Sequence, residues 1–184
     1  MIDHIFFTGL IGSLILVTGA AWPENPKVHP AASIKNWLFG IGGFFMLGYS
    51  IMNYLEGGPV FFIFLQALVA VSTILMMLNV RDSIDVPVIS ISAIALTIWS
   101  LYLFEGYNTI FFIIGLSGIG LGYAFDMGTL RRGLSLTIGS VLIAIFSYIE
   151  ASWIFFWLNV FFALFAGYYV VRDLLKKSSS RSSK

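Results

Sequence analysis

Apolar residues run along this chain in long stretches, each closed by a short polar or helix-ending segment. A membrane-spanning helix needs about 20 mostly apolar residues, within a range of roughly 17–25. Seven stretches qualify: Ile5–Trp22, Trp37–Leu55, Pro59–Val80, Val88–Phe104, Thr109–Phe125, Gly133–Ile149 and Ser152–Val171. Gly57-Gly58-Pro59 separates the second from the third, and Pro87 stands ahead of the fourth. Glu105-Gly106-Tyr107-Asn108 separates the fourth from the fifth, and Glu150-Ala151-Ser152 the sixth from the seventh. Asn108 and Ser152 suit N-caps, and Pro59 suits a first helical turn. The last break is short, but a single helix of about 40 residues would overshoot the bilayer, so two helices are expected there. The pattern predicts an all-α integral membrane protein with seven transmembrane helices.

Charge then orients the helices. Lys27 and Lys35 lie between the first two stretches, Arg81 between the third and fourth, and Arg131 and Arg132 between the fifth and sixth. Arg172, Lys176, Lys177, Arg181 and Lys184 complete the ten Lys and Arg residues. With seven spans all ten fall on one side, which the positive-inside rule makes cytosolic. The N-terminus is therefore expected outside and the C-terminus inside. Asp3, Glu56, Glu105 and Glu150 fall on the opposite side, one glutamate to each outer turn.

Composition agrees with the pattern. The 184 residues are 59% hydrophobic and 10% charged, against roughly 25% charged in soluble domains. Mean hydropathy is +0.94, too apolar for a water-soluble surface. The absence of cysteine excludes disulfides and thiolate chemistry. Met1-Ile2-Asp3-His4 is not a basic leader and Pro23 follows the first apolar run, so the first helix is expected to be retained.

Two internal similarities suggest a repeat. Ile5-Phe6-Phe7 with Gly9 and Gly12 matches Ile110-Phe111-Phe112 with Gly115 and Gly118. Glu56 followed by Phe61-Phe62 and Gln66 matches Glu150 followed by Phe155-Phe156 and Asn159. Residues 1–80 and 109–174 then form two three-helix repeats. Residues 81–108 supply a linker helix, and 175–184 a disordered, Ser-rich basic cytosolic tail. Glu105 ahead of Phe111-Phe112 leaves a plain two-helix repeat as a competing reading.

A three-plus-one-plus-three layout of two triple-helix bundles, N-outside and C-inside, resembles the SWEET sugar transporters and the wider PQ-loop superfamily. Over residues 5–80 there is a second likeness, carried by Trp22, Glu24, Lys27, Pro30, Trp37, Gly42-Gly43, Leu47, Tyr49, Pro59-Val60-Phe61, Gln66 and Asn79. That segment is similar to the N-terminal membrane domain of lipid A disaccharide synthases. These resemblances imply a membrane transport or lipid-associated role, with a prokaryotic cytoplasmic membrane as the expected location. The Pro-Gln dipeptide is absent, and Pro23, Pro26, Pro30, Pro59 and Pro87 are all read in loops or at helix ends. That sets the chain apart from a proline-hinged cycle and from sugar as substrate.

Gln66 and Asn159 are the leading candidates for a substrate-binding pair, with Asn53 and Tyr54 beside them. An amide within hydrocarbon needs partners and should face the protein interior. The plainer alternative is an interhelical hydrogen bond worth roughly 0.6 kcal/mol. Glu56, Glu105 and Glu150 form an outer acidic face, able to gather cations or simply solvate turns. Asp126 with Arg131 and Arg132 is a candidate inner gate, or an exposed pair worth about 0–1 kcal/mol. Gly115, Gly118, Gly120 and Gly122 sit inside an apolar helix and read as close-packing positions, not a nucleotide loop. Trp22, Trp37, Trp153, Tyr54, Tyr107, Tyr168 and Tyr169 suit the headgroup level. His4 and His29 are too few and too far apart to hold a metal, and no cofactor is expected.

The expected function is a transporter or facilitator of a small, weakly polar solute, moving between two helix bundles. A lipid-associated accessory or structural protein is the alternative, with a dry interior and a lateral groove. No nucleophile–base constellation marks an enzyme. The expected partners are the bilayer and a small-molecule or lipid substrate, with a second copy of the chain left open and nucleic acid excluded.

Overall fold

In hydrocarbon every backbone N–H and C=O must be paired within the protein, and a single apolar run meets that demand as a helix. The computed structural model describes residues 4–22, 29–125 and 129–182, and no strand occurs among them. The helices are α1 (His4–Ala21), α2 (Ile34–Leu55), α3 (Phe61–Met77), α4 (Asp82–Tyr102), α5 (Tyr107–Ala124), α6 (Leu130–Ile149) and α7 (Trp153–Ser182), with a short 3₁₀ turn at Pro30–Ala32. Six are long and apolar enough to cross a membrane, while α3, at 17 residues, is shorter. The chain is an all-helical, multi-pass membrane protein.

Three helices end in the same reversal. Past α2 the Gly58 N–H donates to the Asn53 carbonyl at 2.9 Å, with Gly57 at φ 95° between them. Past α3 the Val80 N–H donates to Leu75 at 3.2 Å, with Asn79 at φ 51°. Past α6 the Ser152 N–H donates to Ser147 at 2.8 Å, with Ala151 at φ 53°. This left-handed cap pairs otherwise orphaned carbonyls and favours glycine. Only α2 has glycine at that position.

Several helix boundaries differ from the sequence expectation. Helix α4 starts at Asp82, so Pro87 lies inside it and not ahead of it. Asp82 and Asp85 fall in its first turn, where carboxylates complement the helix dipole. Pro87 there removes only the bond to the Ser83 carbonyl. Pro59 precedes α3, whose N-cap is Val60. Gly106 caps α5 in place of Asn108, which falls within the first turn. Helix α7 continues to Ser182, so most of the tail expected to be disordered is helical. Neither Gly nor Pro interrupts the chain from Tyr168 to Ser182, and Leu and Lys are good helix formers.

Helices consecutive in sequence lie side by side, and α1 also packs on α7 and α3 on α5. The tight crossings are made by glycine. A Cβ on Gly42 would stand 2.9 Å from the Leu16 nitrogen and 3.1 Å from the Gly12 oxygen. A Cβ on Gly139 would stand 2.8 Å from the Ile119 nitrogen and 2.9 Å from the Gly115 oxygen. One contact thus occurs twice, at α1–α2 and at α5–α6. It matches Gly12 with Gly115, one turn away from the register suggested by the Ile-Phe-Phe motifs. Gly118 lies against Gly139 as well, its Cβ position 3.1 Å from that Cα, as close packing requires.

Candidate functional site

A layer of aromatic rings crosses the bundle near the end that carries the glutamate turns. Phe62 of α3 and Phe155 of α7 stack with centroids 4.0 Å apart and planes 2° apart. Phe146 of α6 lies 5.5 Å from Phe62, and Tyr49 of α2 lies 5.4 Å from Phe155. Phe112 of α5 adds a ring 5.2 Å from Phe146 and 5.1 Å from Phe61. On α1, Gly9 packs at the same level, its Cβ position 2.8 Å from Tyr49 and from Ile154. The rings of Phe61, Phe62, Phe112, Phe146 and Phe155 are fully buried.

Helices α3 and α7 run in the same direction, so residues four places on lie one turn deeper on the same face. From Phe62 that residue is Gln66, and from Phe155 it is Asn159. They are 2% and 4% exposed. The Asn159 amide donates to the Phe155 carbonyl at 2.8 Å. The Gln66 Oε1 finds no hydrogen-bond partner among the described residues. A buried amide oxygen left unpaired costs about 1–3 kcal/mol, so this position calls for a donor. Both candidates therefore face inward at matching depth, the sixth residue of α3 and the seventh of α7. Thr73, one helical stripe below Gln66, is also buried.

The structure separates the other two substrate-site candidates from this pair. Asn53 lies one turn beyond Tyr49, on the far side of the ring layer from Gln66. Its Nδ2 is buried and unpartnered, close against Gly58. Tyr54 is exposed at the end of α2. Thr109 of α5, fully buried with an unpartnered Oγ1, lies on Asn53's side of the layer, one turn before Phe112.

Glu56 and Glu105 are exposed turn residues. Glu150 is half-buried and accepts a hydrogen bond from the Asn108 Nδ2, tying the end of α6 to the start of α5. At the opposite end Asp126 lies outside the described residues. Arg131 is exposed. Arg132 closes the α5–α6 turn: its Nη1 donates to the Phe125 carbonyl at 3.1 Å, and its guanidinium lies 5.8 Å from the Tyr123 ring centre. Asp82 and Asp85 stand in the first turn of α4. Sequence reading omitted these two aspartates, placing the start of α4 too late.

Ser50 and Ser147 were also missed. Both are fully buried beside Tyr49 and Phe146, with hydroxyls donating to Leu47 and Ile143 at 2.8 and 2.7 Å. The signal was available: Gly42, Met46 and Tyr49-Ser50 have the same spacing as Gly139, Ile143 and Phe146-Ser147. On the lipid-facing side, α6 and α7 enclose an open apolar groove of about 450 Å³. Val141, Ala144, Tyr148, Phe156, Val160 and Ala163 are among its lining residues.

These features define a polytopic helical membrane protein with two inward-facing amides beneath an aromatic layer. Comparison with known families, with curated proteins and with solved structures gives no match.

Proposed function

We propose that this protein carries a small, weakly polar solute along the seam between two three-helix halves, α1–α3 and α5–α7, joined by α4. One observation carries the reading: Gln66 and Asn159 occupy matching buried positions, and the Gln66 carbonyl has no donor among the described residues. A solute bearing an N–H or O–H group on a mostly apolar body would supply that donor. Matched glycine contacts, serines and rings in the two halves support the three-plus-one-plus-three arrangement. An N-outside, C-inside orientation rests on the basic residues, among them Lys35, Arg81, Arg131, Arg132 and Arg172, which share one end of the bundle. The test is uptake into proteoliposomes by the Gln66→Leu/Asn159→Leu double variant. Loss of uptake with folding intact is expected; unchanged uptake removes the pair as a solute site.

A lipid-associated accessory role is the second reading, and the α6–α7 groove favours it. It expects one lipid species to co-purify and to be lost when Ala144 and Ala163 are both changed to Leu. Mass spectrometry of the purified protein decides between the two.

A further inference from the structure

The aromatic layer stands between unpartnered polar groups. On the glutamate side are the Asn53 Nδ2 and the Thr109 Oγ1; on the other is the Gln66 Oε1. Polar atoms buried without partners are rare in native proteins and call for an explanation. Here they lie on both sides of one layer of fully buried rings. At its centre Phe62 and Phe155 are the second residue of α3 and the third of α7. The stack therefore lies within the first turn of both helices, and one further turn, about 6 Å, separates it from Gln66.

Each ring contact along Tyr49–Phe155–Phe62–Phe146 joins a residue of α1–α3 to one of α5–α7. Among the described residues the halves also meet where α1 packs on α7 and α3 on α5, and where Phe39 of α2 lies 6.0 Å from Phe162 of α7. The central pair is parallel, its planes 2° apart, so the two rings meet face to face without interlocking. Phe61 and Phe146, by contrast, meet edge to face at 89°.

We propose that the Phe62–Phe155 stack is a gate that closes the Gln66–Asn159 site toward the glutamate end and opens as the halves part. The gate rests on the solute-path reading, and its test is independent of any solute. The protein has no cysteine, so a single Asn159→Cys supplies a unique thiol beneath the stack. A membrane-impermeant thiol reagent is applied to the glutamate end of the intact protein in oriented proteoliposomes. Its reaction with Asn159→Cys is expected to be slow, and about ten-fold faster when Phe62→Ala is added, as befits loss of one aromatic contact. Phe62→Trp should restore protection. Phe155→Leu, with elution as a single species checked, serves if Phe62→Ala does not fold. Equal labelling rates with and without the ring overturn the gate. If labelling responds to Phe62 while uptake ignores Gln66→Leu, the gate stands and the solute site falls. If uptake needs Gln66 while labelling ignores Phe62, the site stands and the gate falls.

Discussion

Gly115 and Gly139 meet backbone to backbone: a Cβ on Gly139 would approach the Gly115 carbonyl oxygen to 2.9 Å. Two of the three obstructing atoms, the Ile119 nitrogen and the Gly115 oxygen, are main chain and cannot swing aside. Forcing a methyl into such a contact costs about 1–3 kcal/mol. Gly139→Ala should therefore lower the thermal unfolding midpoint in detergent. Gly48→Ala, in a helix interior with nothing within 4 Å of the new methyl, should leave it unchanged or raise it, since Ala is favoured over Gly by up to about 1 kcal/mol. Equal responses would refute the glycine crossing.

Ala151 carries a positive φ of 53° at the α6–α7 turn. For a residue with a Cβ that conformation costs about 1–2 kcal/mol. Ala151→Gly is expected to stabilise the protein by about 1 kcal/mol, read from the same unfolding curves. A fall in stability would mean that the turn is not left-handed.

Gln66 should show a trade between stability and activity. Replacing it with Met removes an unpaired buried carbonyl while keeping a side chain of similar length. A gain of about 1 kcal/mol is expected, accompanied by loss of uptake. Destabilisation by Gln66→Met would reveal a structural hydrogen bond and a packing role for the amide.

Arg132 anchors the turn between α5 and α6 through the Phe125 carbonyl. A hydrogen bond from a charged donor is worth about 1.5–3 kcal/mol. Its partly exposed position places Arg132→Gln at the lower end of that range. The variant should speed limited proteolysis between Phe125 and Thr129, while Arg131→Gln should not. Lysine cannot reproduce the guanidinium geometry and is expected to rescue Arg132 only in part.

Orientation is checked by tags at the two termini. A basic end facing the cytosol requires the tags in opposite compartments. Both tags in one compartment would mean an even number of crossings.

The positions of the helices were legible because hydrocarbon demands long apolar runs; the break at Gly57 is plain, and bilayer thickness places the short one at Glu150. The inward placement of Gln66 and Asn159 was legible for the same reason: an amide on the lipid face is too costly. Pro87 misled, because the rule that proline ends a helix weakens near a helix start. Asn108 misled, because a residue able to cap α5 instead reaches Glu150 on α6. The partnership of Phe62 with Phe155 had no local signature, since stacking across the bundle depends on how α3 and α7 settle against each other. The internal similarity was visible, but the register of the matched contacts was not. Turns of different length shift the matching positions, and only the contacts reveal that Gly12 answers Gly115.

Helix α3 spans about 26 Å at roughly 1.5 Å per residue, less than the hydrocarbon thickness of about 30 Å. A short helix bathed in lipid would have to thin the membrane around it. This one is flanked by α2, α4 and α5, and its rings reach α6 and α7. The bilayer therefore sets the length of the outer helices but has little purchase on α3. Reconstitution in thicker or thinner lipids should strain the periphery of the bundle before it disturbs the centre.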